Sequence, residues 1–274
     1  MGQISRPPDA LTDFLLRAPF DGEHAGPGAR MGTWKGRRAE NQDRAIVAFI
    51  PDERTGKSLF LAAVLDGMGG MADGALATSS AASTFVSALA RQSDRDLRSR
   101  LNSAIAEANE RVAARTQGQG GSTLTAVAIA HGGQGCAVHV GDSRLYASRS
   151  EVLQITTDDT LCGLLGLEGH GGLESGLMQF VGIGERMVHQ TYDIWDHHGG
   201  LLITSDGFHS VADVSVALAE HSLDGALASQ GISGLLEDNA TCISIDQKQV
   251  QIRIEVHQGM GAIYTTRGRY SIRR

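Results

Sequence analysis

Four aspartates stand at the ends of apolar runs: Asp43 in Asn41-Gln42-Asp43, Asp66 in Leu65-Asp66-Gly67-Met68-Gly69-Gly70, Asp206 in Thr204-Ser205-Asp206-Gly207, and Asp238 in Asp238-Asn239-Ala240-Thr241. Each falls where a predicted strand enters or leaves the core, so one edge of a fold can collect all four carboxylates. Clustered carboxylates repel, and some then take up protons. Hard divalent cations remove that conflict, because Mg2+ and Mn2+ favour carboxylate, carbonyl and water oxygens. A lone Asp-Gly is more often a turn. Four such aspartates in order make a candidate metal site.

The wider set of segments resembles the metal-dependent, type 2C (PPM) family of serine/threonine protein phosphatases. The matching pieces are Arg38-Ala39-Glu40-Asn41-Gln42-Asp43, Val64-Leu65-Asp66-Gly67-Met68-Gly69-Gly70, Gly121-Ser122-Thr123, His139-Val140-Gly141-Asp142-Ser143-Arg144-Leu145-Tyr146, Leu201-Leu202-Ile203-Thr204-Ser205-Asp206-Gly207 and Asp238-Asn239-Ala240-Thr241. They run in the family's order with family-like spacing, from roughly Met31 to Ile245, and Asp-Gly-Met-Gly-Gly looks like the bacterial branch.

The resemblance implies an α+β sandwich of two antiparallel β-sheets flanked by pairs of antiparallel helices. It implies two Mn2+ or Mg2+ ions per active site. Asp66 would bridge them, with the Gly67 carbonyl as a further ligand. Asp206 and Asp238 would complete one shell, with Asp43 in or beside it. Asp142 matches an aspartate of a weak third site, and Arg38 matches an arginine that grips the substrate phosphate, which its fork suits. Two metals about 4 Å apart can hold a hydroxide at neutral pH, and phosphate monoesters need that help because their uncatalysed hydrolysis is very slow. Phosphorylated proteins are the implied substrates and a serine/threonine kinase the implied counterpart. Two rival readings stand beside this one: a non-catalytic phosphoprotein-binding module on the same fold, and a phosphatase acting on an anti-sigma-antagonist-type switch protein. The intact carboxylates weigh against the first.

The chain departs from the family pattern at several points. Ser210 stands four residues after Asp206, where an acidic residue is frequent, and Asp159 stands where histidine is common. One carboxylate fewer weakens a third cation site. The glycine-rich stretch from Leu161 to Gly184 looks shorter than the usual flap. Met68 replaces the histidine that some members use as a general acid. His209 reads as a surface or satisfied histidine, and His197-His198 as a hairpin turn.

With 274 residues, 41% of them apolar, and 35 glycines, the composition suits a turn-rich globule. A net charge of −7 argues against nucleic acid as a partner. No apolar run reaches the roughly 20 residues that cross a bilayer, and Met1 to Arg6 lacks a secretory core. Cys136, Cys162 and Cys242 are widely spaced and read as reduced core thiols. A cytoplasmic monomer is the expectation. Thr55-Gly56-Lys57-Ser58 imitates the end of a phosphate-binding P-loop, but Pro51 replaces its first glycine and a strand follows it.

The elements that must position these residues alternate in blocks. Residues 1–28 read as a loosely ordered leader, 29–257 as the phosphatase-like domain, and 258–274 as a C-terminal extension. Strands are predicted at 45–50 and 58–65, then helices at 75–90 and 94–115, the second with Ser93 and Asp94 as caps. Strands follow at 124–130, 136–140, 145–147, 152–155, 188–194 and 201–204, then helical stretches at 212–220 and 223–236, and strands at 241–245 and 249–256. The last is predicted from the alternation of Val250, Ile252, Ile254 and Val256. Strands, two helices, strands, two helices, strands is the order of a covered antiparallel sandwich.

Overall fold

The computed structural model describes residues 8–68, 73–166, 176–194, 200–232, 234–256 and 262–271. In chain order the elements are α1 (Pro8–Leu16), β1 (Gly22–Gly26), β2 (Ala29–Trp34), β3 (Arg44–Asp52), β4 (Lys57–Leu65), α2 (Gly74–Arg91), α3 (Leu97–Thr116), β5 (Leu124–Ile129), β6 (Gly135–Val140), β7 (Arg144–Ser148), β8 (Val152–Gln154), α4 (Leu161–Leu165), β9 (Gln190–Ile194), β10 (Leu201–Thr204), α5 (Asp206–His209), α6 (Val214–Ala219), α7 (Leu223–Ser229), β11 (Ala240–Ile245), α8 (Gln247–Val256), β12 (Ala262–Thr265) and β13 (Gly268–Ser271). Two antiparallel sheets form, ordered β1-β2-β11-β10-β7-β8 and β13-β12-β3-β4-β5-β6-β9. This is the α+β sandwich the sequence implies.

The central strands show why their sequences are apolar throughout. On β3, Ile46, Ala48 and Ile50 face α2 and α3, while Ala45, Val47 and Phe49 face the other sheet. On β4, Leu59, Leu61, Ala63 and Leu65 join the helix side, and Phe60, Ala62 and Val64 the inter-sheet side. Both faces are covered, so no polar face interrupts the run. Phe208, Ala217, Leu223 and Leu227 cover the outer face of the six-stranded sheet.

Three expectations change. Residues 249–256 form the end of helix α8, not a strand. Every second residue there is apolar, but that pattern also contains the helical i, i+4 pair Val250 and Ile254, and both are buried between the sheets while Ile252 is exposed. The carboxylate of Asp246 accepts the Gln249 N–H at 3.0 Å and caps the helix. The leader is not loose over its described part: α1 buries Leu11 and Leu15 in the core beside α2, and β1 pairs with β2. Within the expected extension, β12 and β13 widen the seven-stranded sheet by pairing onto β3.

Boundaries shift more modestly. The cap of α3 is Asp96, which accepts the Ser99 N–H, rather than Ser93 or Asp94. The helices after β10 are short pieces, because Gly231 and Gly234 adopt positive φ and end the run after α7. Residues 167–175 of the flap, Gly69-Gly70 and His197-His198 lie outside the described residues.

Candidate active site

Strand register assembles the site. Arg44 pairs with Leu65, so Asp43 and Asp66 emerge side by side at one end of β3 and β4. In the other sheet Thr204 pairs with Arg144, and two residues further along that register Asp206 faces Asp142. Thr204 also pairs with Cys242, which brings Asp238 to the same end just before β11. Gly36 permits this approach: its φ is +62°, and a Cβ there would stand 2.3 Å from the Asp238 carbonyl oxygen.

The five carboxylates and one guanidinium act on one another. Burial raises the Asp66 carboxyl well above the usual carboxylate range, and the charges of Asp43, Asp206 and Asp142 add to the rise. Asp66 thus lies close to both Asp43 and Asp206, and protonation of its carboxyl is favoured there. Burial likewise pushes Asp43 to about 7, opposed by the Thr241 and Ser205 hydroxyls. Asp142 is pushed up to about 7 by burial and then by Asp206 and Asp158. Arg38 donates to Asp238 at 2.6 Å across a half-exposed rim. Thus Arg38, Asp43, Asp66, Asp142, Asp206 and Asp238 gather at one place, and Gly67 follows Asp66 into it.

Hydrogen bonds from the flanking motif residues fix this geometry. Asp66 N–H donates to Thr123 Oγ1 at 2.9 Å, Thr123 N–H returns to the Asp66 carbonyl at 2.9 Å, and Met68 N–H donates to the Gly121 carbonyl at 3.1 Å. Gly121-Ser122-Thr123 is therefore the strap behind the Asp66 loop. Thr123 Oγ1 also contacts Ser143 Oγ at 2.7 Å, tying the loop of Asp142 to that of Asp66. Gly141 makes the sharp entry with φ +109°, where a Cβ would meet Thr123 at 2.7 Å. Asn239 accepts the Gln42 N–H at 2.9 Å and donates to the carbonyls of Lys35 and Glu40 at 2.8 and 3.0 Å. It laces the Arg38–Asp43 loop to Asp238.

Sequence reasoning gave no role to Arg44 or Asp159. Arg44 is buried, and its guanidinium donates to the carbonyls of Leu15, Asn41 and Asp43 at 2.6 to 2.9 Å. It pins α1 to the base of the carboxylate cluster, and burial lowers it to about 10 against the pull of Asp43. The signal was a charged residue opening a fully apolar strand. Asp159 accepts the Gly141 N–H and a Gln190 amide N–H, both at 2.9 Å, and its carbonyl accepts the Met178 N–H at 2.7 Å. Where histidine is common in the family, this chain has a staple between the Asp142 loop and the flap. Beside it Asp158 is gripped by Arg144 through Nε and Nη2.

Two histidines near the cluster, the buried His139 and the half-buried His209, are hydrogen-bonded. His209 Nδ1 contacts Thr204 Oγ1 at 2.9 Å, and burial with Arg144 nearby lowers it to about 3. His139 is buried between Thr125 Oγ1 and the Thr157 carbonyl and is lowered to about 4 by burial. The three cysteines are free and buried, and burial raises Cys136 to about 11 and Cys242 well above the ordinary thiol value.

Every donor in the cluster is an oxygen, which suits Mg2+ or Mn2+ over softer metals. Both carboxylate oxygens of Asp43 are buried without a hydrogen-bond partner among the described residues. The hydroxyls beside it are tied into the floor of the site: Thr241 Oγ1 lies 2.7 Å from Thr33 Oγ1, and Ser205 Oγ accepts the Thr241 N–H at 2.9 Å. An orphaned buried carboxylate is costly, and a cation resolves it. Among the described residues, no three His, Cys, Asp or Glu side chains converge as a formed ligand set. Arg38 holds Asp238 at the rim, and Asp66 lies against Asp43 and Asp206. The composition fits the metal, while the side chains must turn to surround it.

The architecture is that of PPM phosphatases of known structure. A structure of a serine/threonine phosphatase from S. agalactiae superposes with a TM-score of 0.68 at 22% identity, over 79% of this chain and 98% of that one. The PPM Ser-Thr phosphatase MsPP from Mycobacterium smegmatis, solved with cacodylate, superposes at 0.64 with 28% identity, over 80% and 97%. Serine/threonine protein phosphatase PstP of Mycobacterium tuberculosis is 36% identical over 143 residues, 48% of this chain and 27% of PstP. The chain thus spans about a quarter of the length of that relative. No family model matches the chain. In fold and in sequence the chain is similar to bacterial PPM serine/threonine phosphatases. Metal dependence is general in that family.

Proposed function

We propose that this protein is a metal-dependent phosphatase that hydrolyses phosphoserine and phosphothreonine on proteins. The observation that carries the reading is the Asp43 carboxylate, buried with both oxygens unpartnered and set against Asp66 and Asp206. Asp43, Asp66, Asp206 and Asp238, with the Gly67 carbonyl, would hold two Mn2+ or Mg2+ ions, and Asp142 would support a weak third. When bound, the ions supply a hydroxide at neutral pH and neutralise charge on the phosphoryl oxygens.

The chain's own residues bind, orient and hold protons. Asp43 and Asp66 give up protons as they become ligands, because a ligating carboxylate is ionised. Arg38 stands half-exposed at the rim, with a fork that can exchange the Asp238 carboxylate for a phosphate. Thr33, Ser205 and Thr241 form a buried hydroxyl floor under Asp43 that keeps bulk water from that side. His209 is neutral near pH 7 and offers no imidazolium as general acid. With all three thiols buried, a covalent cysteinyl-phosphate route has no exposed nucleophile.

The proposed substrates are phosphorylated proteins, and the counterpart is a serine/threonine kinase in the cytoplasm. A monomer suffices, since Arg38 and all the carboxylates come from one chain. Among the described residues no helix is long and apolar enough to cross a membrane. The test is release of phosphate from a phosphothreonine peptide and from p-nitrophenyl phosphate. Mn2+ should stimulate it, EDTA abolish it and thiol alkylation spare it. Full turnover after chelation overturns the reading, and tight phosphopeptide binding without turnover favours the non-catalytic module.

A further inference from the structure

The strands that carry the carboxylates also define a far end. β3 and β4 pair from Arg44↔Leu65 to Asp52↔Lys57, and strands of this length put about 25 Å between the two ends. At the far end a cavity of about 440 Å³ opens between the β3–β4 hairpin and the start of α3. Arg54, Arg95, Arg98 and Arg100 line it, with Asp52, Asp96 and Asp193 among its acids.

Each acid there is already engaged. Asp52 takes Arg100 at 3.2 Å and the Thr55 hydroxyl at 2.9 Å. Asp193 takes Arg98 at 2.6 Å. Asp96 caps α3 by accepting the Ser99 N–H at 3.0 Å. Arg54 and Arg95 are exposed and form no ion pair among the described residues, although Arg54 is near enough to Asp96 to help lower it. Arg54 stands close enough to Arg100 to act on it as a like charge. Arg100 is 1% exposed, and its Nε has no hydrogen-bond partner. The 20-residue helix α3 adds the Leu97 and Arg98 N–H groups, which its cap leaves free.

We propose that this cavity is a second phosphate-binding site, taking a phosphate dianion, free or carried on a protein side chain, between Arg54, Arg95 and the amino end of α3. Two unpaired guanidiniums offer bidentate donors for phosphate oxygens, and the helix end favours negative charge. A bound dianion also relieves the crowding of Arg54 on Arg100. The site shares no residue with the carboxylate cluster, so it binds phosphate whether or not the phosphatase reading holds.

The test is an amide-shift titration of the full 15N-labelled chain, reading Leu97 and Arg98, with inorganic phosphate against chloride at constant ionic strength. Saturable shifts with phosphate and none with chloride are expected. The double variant R54A/R95A should weaken them at least tenfold while thermal melting and p-nitrophenyl phosphate turnover stay at the wild-type level. Absence of saturation, or equal affinity in R54A/R95A, overturns the proposal. A peptide bearing a non-hydrolysable phosphonate in place of phosphothreonine separates the two sources. Tighter binding than inorganic phosphate identifies protein-borne phosphate, and equal or weaker binding identifies the free anion.

Discussion

The carboxylates of Asp66 and Asp206 stand close enough for the charge of Asp206 to raise Asp66, although one follows β4 of the seven-stranded sheet and the other follows β10 of the six-stranded sheet. That approach closes the two sheets over one end of the sandwich. It also places the proposed bridging ligand where both sheets deliver negative charge.

Asp66→Asn should therefore be the most damaging change. It preserves shape but removes the charge that would offset two cations, so both should weaken together. Turnover at saturating Mn2+ should fall well over tenfold, which is about 1.4 kcal/mol in the barrier for each tenfold. Asp206→Asn and Asp238→Asn should cost nearly as much. Mn2+ calorimetry beside steady-state kinetics checks this, and a variant keeping more than about a tenth of wild-type turnover would remove Asp66 from the proposed role.

Arg38→Ala should separate binding from chemistry. Arg38 pairs with Asp238 at a half-exposed rim, so its loss frees a carboxylate and removes a phosphate contact. The Michaelis constant should rise several-fold while Mn2+ affinity stays level or improves. Weakened Mn2+ binding in this variant would mean that Arg38 orders the carboxylates instead of gripping phosphate.

Metal affinity should depend on pH in a defined direction. Burial holds Asp43 and Asp142 at about 7 in the metal-free protein. Raising pH from 5.5 to 7.5 strips protons that compete with the cation, so Mn2+ should bind more tightly and release fewer protons as pH rises. Stability without metal runs the opposite way. The folded pKa values lie above the unfolded ones, so there is no effect below about 4, and stability declines as pH rises from about 4 to about 7. Melting curves in EDTA and in Mn2+ across this range should diverge most near neutrality.

Arg44→Ala should destabilise the chain by on the order of 3 kcal/mol, because it leaves the carbonyls of Leu15, Asn41 and Asp43 without their buried donor. Helix α1 loses its tether and should become the first site of limited proteolysis. Urea denaturation gives the magnitude. A loss below about 1 kcal/mol would show that water replaces the guanidinium.

Ser210→Asp should strengthen the third cation site. Ser210 is one helical turn from Asp206, with its N–H bonded to the Asp206 carbonyl at 2.9 Å. A carboxylate there would join Asp142 and Asp206 in serving one ion. In the natural chain a third Mn2+ should bind only at about millimolar concentration, since so few charges offset the cost of shedding hydration. Crystals soaked in graded Mn2+ test this. Full occupancy at low micromolar Mn2+, unchanged by Ser210→Asp, would contradict it.

The sequence by itself determined which residues end the central strands and how the chain alternates between strands and helices. The apolar runs that end at Asp43, Asp66, Asp206 and Asp238 are local, and local apolar patterning dictates strand ends before any contact forms. What the sequence left open was decided by neighbours distant in the chain. Residues 249–256 read as a strand from their alternation, and burial of Val250 and Ile254 against the inter-sheet core made them a helix instead. Short α1 could not be judged docked without Arg44, 29 residues away from Leu15. The pull of Asp206 on Asp66, the capture of Asp238 by Arg38, and the orphaned oxygens of Asp43 all depend on distances between sheets. Charge interactions follow such distances and the local burial, and neither is written in any single stretch of the chain.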